Sequence, residues 1–131
     1  MLKIEKIHHV AILTDNYEVS KRFYTEVLGF EILAEVYRAE RQSYKLDLSV
    51  NGVYQIELFS FPEYRERASF PEAKGLRHLA FAVADVAAAY LYLKEKLVDV
   101  QEVMVDEFTG KKFLFFNDPN GQPLELYEAN A

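Results

Sequence analysis

The spacing of apolar and polar positions changes period along this chain, and it does so twice in the same order. The segment Ile7 to Asp15, IHHVAILTD, has a histidine, an alternating apolar run and a closing aspartate, and the segment Arg77 to Asp85, RHLAFAVAD, repeats that scheme. Alternation over five or more residues predicts a half-buried strand. After each such strand the period lengthens. Between Tyr17 and Leu28 the apolar positions Tyr17, Val19, Phe23, Tyr24, Val27 and Leu28 mostly recur at three- and four-residue steps, with Glu18, Lys21, Arg22 and Glu26 on the other face. Asp15 with Glu18 forms a candidate capping box, and Gly29 is placed to end the helix. The second copy predicts a helix from Asp85, its N-cap, to about Leu97, with a stripe of Val86, Ala89, Tyr90, Leu93 and Leu97.

Downstream of each helix the pattern returns to strand period. Strands are predicted at 30–38, 44–50 and 53–60, and again at about 99–106, 112–117 and 123–128. Asn51-Gly52, Thr109-Gly110 and Asp118-Pro119-Asn120-Gly121 mark the turns between them. The fold class is therefore α+β: two tandem βαβββ modules, about 4–60 and 76–129, joined by the polar, proline-containing stretch 61–75 into one domain over 1–131. Neither module has enough elements to close a core by itself, so the two copies are expected to pack or pair their sheets into a cupped mixed sheet.

The repeat carries chemistry at matching places. His9 and Glu57 are 48 residues apart, His78 and Glu125 are 47 apart, and Ile56-Glu57-Leu58-Phe59 is echoed by Leu124-Glu125-Leu126-Tyr127. A carboxylate inside an apolar strand is uncommon unless it is paired or bound to a metal. Strand alternation places His9 with Ala11 and Leu13, His78 with Ala80 and Ala82, and Glu57 with Gln55 and Phe59, while Ile56, Leu58, Leu124 and Leu126 turn to the core. One sheet face is thus greasy, and the other carries the polar groups beside small and aromatic residues, as a substrate cavity requires. Brought together, His9, Glu57, His78 and Glu125 form an N2O2 ligand set for one divalent ion, with zinc, nickel, cobalt, manganese and iron all compatible. Taken singly, each of these residues reads more simply as an edge or surface group, and the weight lies in the matched four. His8 falls out of the repeat alignment and is expected to be a core or edge residue.

Composition narrows the partners. The 131 residues are 50% hydrophobic and 27% charged, which describes a globular chain with a packed core. A net charge of −6 without any long basic cluster argues against nucleic acid and leaves a small-molecule substrate or a protein partner. Without cysteine there is no disulfide and no thiolate ligand. The opening residues show no signal-peptide core and no run of 18 apolar residues occurs, so the expected address is the cytoplasm, with no membrane partner.

Further sequence features carry a resemblance. His9-Val10-Ala11-Ile12, Phe23-Tyr24, Leu28-Gly29-Phe30 and Phe116-Asn117-Asp118-Pro119-Asn120-Gly121 before Leu124-Glu125-Leu126 resemble the vicinal oxygen chelate superfamily over nearly the whole chain. That group includes glyoxalase I, fosfomycin-resistance transferases, extradiol dioxygenases and metal-free bleomycin-resistance proteins. The order His, Glu, His, Glu is similar to the glyoxalase I branch. The resemblance implies a metal-dependent lyase or isomerase that acts on a small oxygenated substrate, such as a thiol adduct of an α-oxoaldehyde, through a metal-stabilised enediolate. It implies a homodimer too, with the site lying within one chain or shared between two, and Glu125, then Glu57, as catalytic base. Leu13 and Phe61 stand where bacterial glyoxalase I usually has an arginine and an asparagine, which argues against glutathione as the thiol. Arg38, Arg41, Lys45 and Arg77 are candidates for another anion, and Tyr37, Tyr44, Tyr54, Phe59 and Phe113 for a pocket lining. The alternatives are a non-catalytic protein that sequesters a small molecule, a thiol transferase of the same superfamily, and a purely structural domain.

Overall fold

A computed structural model describes residues 1–129. The chain divides between Arg65 and Glu66 into two compact units, each of which is a βαβββ module. In the first unit the strands are β1 (Val10–Thr14), β2 (Glu31–Arg38), β3 (Ser43–Val50) and β4 (Val53–Ser60), with the helix α1 (Tyr17–Arg22) after β1. They form a four-stranded sheet in the order β1-β4-β3-β2, with β1 parallel to β4 and the other neighbours antiparallel. The second unit repeats this with β5 (Leu79–Val83), α2 (Val86–Glu95), β6 (Met104–Val105), β7 (Lys112–Asn117) and β8 (Pro123–Glu128), in the order β5-β8-β7-β6. The α+β class and the tandem modules are as predicted.

Alternation decides which face is covered. In the first unit Ile12, Leu46, Leu48, Ile56 and Leu58 are buried together with Tyr17, Phe23 and Tyr24 of the helical segment. In the second, Leu114, Phe116, Leu124 and Leu126 are buried with Val86 and Leu93 of α2. Each unit therefore has its own apolar cluster between one helix and one sheet face. Removing that surface from water is the main force that flattens the strands against their helix.

Several boundaries differ from the sequence reading. α1 is capped by Asn16, whose side-chain oxygen accepts from the Val19 amide at 3.3 Å, and not by Asp15, whose carboxylate accepts from the neighbouring Asn16 amide. The α-helix gives way after Arg22 to a π-helical turn over Phe23–Val27, where the Leu28 amide reaches back five residues to the Phe23 carbonyl. The wider turn lets the adjacent rings of Phe23 and Tyr24 both reach the core. α2 has the expected cap, Asp85 accepting from the Ala88 amide at 3.0 Å, but it ends at Glu95. Leu97 lies beyond it at a positive φ and is 92% exposed, so it does not belong to the apolar stripe. The strand predicted over 99–106 shrinks to Met104–Val105 plus a single bridge between Val100 and Phe116. Asn51 and Gly52 both have positive φ, as a tight hairpin turn between β3 and β4 demands. Among the described residues, no helix is long and apolar enough to cross a membrane.

Outside the sheet face, Tyr17 donates a hydrogen bond to Glu35, and Lys21 pairs with the same carboxylate at 2.8 Å. The Lys21 hydrogen bond, followed by that of Tyr17, holds the Glu35 carboxyl below its ordinary value of 4.5. A depressed carboxyl contributes stability above its unfolded value, and that contribution disappears as pH falls through the folded value. Urea denaturation of Glu35→Gln should therefore show a stability deficit at pH 7 that closes as the pH is taken well below 4.5. A second denaturation series checks the cap: Asp85→Ala is expected to lose about 1 kcal/mol of stability.

Candidate functional site

In each unit the last strand pairs in parallel with the first, and this register places an alanine beside each glutamate: Ala11 opposite Glu57 and Ala80 opposite Glu125. Small neighbours leave the carboxylates room on the face away from the helix. A histidine just ahead of the first strand then completes a pair. His9 Nε2 lies 3.3 Å from Glu57 Oε2, and His78 Nε2 lies 3.3 Å from Glu125 Oε1. The two glutamates keep 12% and 13% of their side-chain surface, so both are largely withdrawn from water without being sealed.

The spacing bears on what these pairs can hold. Two donors bonded to one ion at about 2.0 to 2.2 Å, with angles between about 90° and 110°, sit roughly 2.9 to 3.5 Å apart. Both pairs fall in that window, with imidazole and carboxylate, the donor types that suit a divalent ion in a chain without cysteine. The structure brings His9 to Glu57 and His78 to Glu125, and among the described residues it assembles no group of three or more such ligands.

The surroundings of the two pairs differ. Glu57 accepts a very short hydrogen bond from the Tyr54 hydroxyl and has Lys45 Nζ at 3.8 Å. Lys45 in turn pairs with Asp47 at 2.7 Å, and the Tyr54 hydroxyl also lies 3.3 Å from Asp47. The Tyr54 ring stacks on His9, with centroids 5.5 Å apart and planes at 6°. Burial, and after it the bond to Glu57, push the Tyr54 phenol above its usual value, which keeps it a donor. One side chain thus touches both members of the first pair. In the second unit the strand position facing Glu125 is Phe115, where the first unit has Asp47, and the next one out is Phe113, where the first has Lys45. The Phe115 ring meets His78 edge-on at 5.0 Å. Tyr127, on the Glu125 side of β8, has its hydroxyl committed to Asp106 and Thr109.

His8 is exposed and is not a core residue. Its Nδ1 shares a hydrogen with His9 Nδ1 at 2.8 Å, and its ring meets Tyr54 edge-on, because both histidines precede β1 and escape strand alternation. Tyr54 is the residue that alternation misplaces. β3 and β4 slip register between Leu48 and Ser49, so that Gln55 is the extra residue and Tyr54, three positions from Glu57, reaches the carboxylate. A bulge of this kind leaves no period-two signal. Tyr44 stacks on Tyr17 and touches Tyr37, and Phe59 lies under the Arg38 guanidinium, so these aromatics pack with neighbours. Phe113 does line a cavity, in company with His78 and Arg77.

Comparison with known proteins agrees with this fold. Residues 6–126 match the model of the Glyoxalase/Bleomycin resistance protein/Dioxygenase superfamily. The uncharacterized protein YaeR of Escherichia coli (strain K12) is 55% identical over 128 residues, covering 98% of this chain and 99% of its own. A 2-epi-5-epi-valiolone epimerase of Actinomyces sp is 30% identical, covering 95% of this chain and 80% of its own. The crystal structure of a glyoxalase family protein from Enterococcus faecalis superposes with a TM-score of 0.87 at 47% identity, over 95% of this chain and 98% of that one. The chain belongs to the Glyoxalase/Bleomycin resistance protein/Dioxygenase superfamily.

Proposed function

We propose that this protein is a metal-dependent lyase or isomerase of the glyoxalase I type, with His9, Glu57, His78 and Glu125 as ligands of one divalent ion and a small oxygenated substrate. The observation that carries this reading is the repeated His–Glu pair, 3.3 Å apart at equivalent places in both units. Duplication accounts for the shared strand position and alanine neighbour, and the imidazole and carboxylate have been kept in both copies while the residues around them differ. The ion, when bound, supplies a Lewis acid for substrate oxygens.

The residues of the chain divide the remaining work. Glu57 is restrained by the Tyr54 hydroxyl, by His9 and by the nearby Lys45 cation, all of which limit its movement. It therefore acts as a fixed ligand. Glu125 faces His78 among phenylalanines, with no counterpart of Lys45, Asp47 or Tyr54, and is the better placed base for moving a proton between adjacent carbons. Phe115 lies opposite that carboxylate on the neighbouring strand, so no charged side chain from that position restrains it. Such a proton transfer is compatible with a thiol adduct of an α-oxoaldehyde as substrate, and one relative is named an epimerase. A homodimer in the cytoplasm remains part of the same proposal.

Elemental analysis of protein purified without chelator should find one divalent ion per chain, and a screen of thiol adducts of α-oxoaldehydes should reveal turnover that chelation abolishes. Glu125→Gln is expected to lower kcat by about 10² or more while retaining the ion. Absence of any metal uptake would refute the ligand assignment, and tight substrate binding without product would assign a sequestering role instead. A further variant tests the clamp: Tyr54→Phe should weaken divalent-metal affinity about tenfold, as loss of a hydrogen bond behind a ligand does. Competition with a metallochromic chelator measures that affinity.

A further inference from the structure

The segment 66–77, which contains no helix or strand, walls off a cavity of about 710 Å³ within the second unit. That volume lies in the range of small-molecule sites, about 300 to 1,000 Å³. His78 lies on its wall, so the cavity opens onto one of the proposed ligands. The rest of the lining falls into two chemically distinct parts.

One part is apolar and incompletely covered. Phe113 and Phe115 of β7, Met104 of β6 and Phe70 of the segment line the cavity. Their exposure is uneven: Phe70 is 89% exposed and Met104 53%. An aromatic ring and a thioether left in water beside two more rings are a surface that a flat apolar body would cover.

The other part holds an excess of hydrogen-bond donors. Arg67 and Arg77 both line the cavity. Arg67 is fastened by Nη2 donating to the Arg77 carbonyl at 2.6 Å and by Nη1 donating to Gln122 Oε1 at 3.3 Å. The Glu72 carboxylate stands 4.0 Å from Arg67 Nη2 and 3.6 Å from Arg77 Nη1, so two guanidiniums share one carboxylate at distances beyond a direct hydrogen bond. The Arg77 side chain is 62% exposed. Glu66 puts a second carboxylate on the same lining, so net charge alone does not select a ligand. The donor inventory does, since each guanidinium offers five N–H groups in a planar fork and Arg77 has most of its fork free for an oxyanion.

We infer that this cavity binds an organic oxyanion, a carboxylate or a phosphoryl group carried on an aromatic or similarly flat apolar body. The anion meets Arg77 beside Arg67, and the body lies across Phe70, Met104, Phe113 and Phe115. This names the substrate class for the reaction proposed above and rests on that reading for its chemistry, though not for binding.

Calorimetric titration of the full-length protein, freed of metal with EDTA, separates the two. The probes are phenylphosphonate, phenylacetate, benzyl alcohol, benzylamine and inorganic phosphate. At least one aromatic anion should bind at least fivefold more tightly than benzyl alcohol, benzylamine and phosphate, and the stronger of the two anions identifies the headgroup. Arg77→Gln should weaken that anion about tenfold, the loss of one charge-assisted contact, without altering benzyl alcohol binding. Phe70→Ala should weaken every aromatic probe. Benzylamine binding as well as the anions, indifference of the anions to Arg77→Gln, or no probe binding at all would overturn the inference. Anion binding that persists in a protein unable to take up metal would uphold it while removing the enzymatic reading.

Discussion

A carboxylate in the middle of a strand whose flanking residues are fully buried is under a constraint that the surrounding structure must satisfy. Ile56 and Leu58 on either side of Glu57, and Leu124 and Leu126 around Glu125, are committed to the core, so each glutamate is forced to the opposite sheet face. There it loses most of its water and needs a compensating partner. The histidine ahead of the neighbouring parallel strand supplies it in both units. The face on which each glutamate stands follows from this one commitment of the apolar neighbours, and the alanine opposite it leaves the room that the imidazole and carboxylate share.

Duplication makes the two pairs alike, and divergence around them makes them unlike. In the first unit the carboxylate is tied to a phenol and lies beside an ammonium that is itself neutralised by Asp47. In the second unit the positions equivalent to Lys45 and Asp47 are Phe113 and Phe115, and polar contacts lie instead in the segment 66–77 and among Asp106, Thr109 and Tyr127. The same scaffold can carry both surroundings because a side chain on the open sheet face can change without disturbing the core packed on the other.

Membership of the superfamily accounts for the fold, and its breadth explains why fold alone selects no reaction. The residues that discriminate are those on the open face and in the segment between the modules. Arginines from the irregular segment, set against rings from the strands, are the kind of lining in which loops supply recognition and the sheet supplies rigidity.

What the sequence determined by itself was whatever depends on local period and repetition: two βαβββ modules, the covered sheet face, the Asp85 cap, the Asn51-Gly52 turn and the matched His and Glu positions. These are legible because burial imposes spacing of two or of three to four, and duplication writes the spacing twice. Only the tertiary structure decided the rest. The shift from α to π at Phe23 goes with two adjacent rings both buried in one core, and the cap falls to Asn16 because its side chain, not that of Asp15, reaches the Val19 amide. Tyr54 reaches Glu57 through a bulge at Gln55, and His8 meets His9 ahead of a strand that has not yet begun. Arg67, Phe70 and Arg77 come beside His78 through an irregular segment whose path no periodicity encodes, because its position is set by long-range contacts such as that of Arg67 with Gln122.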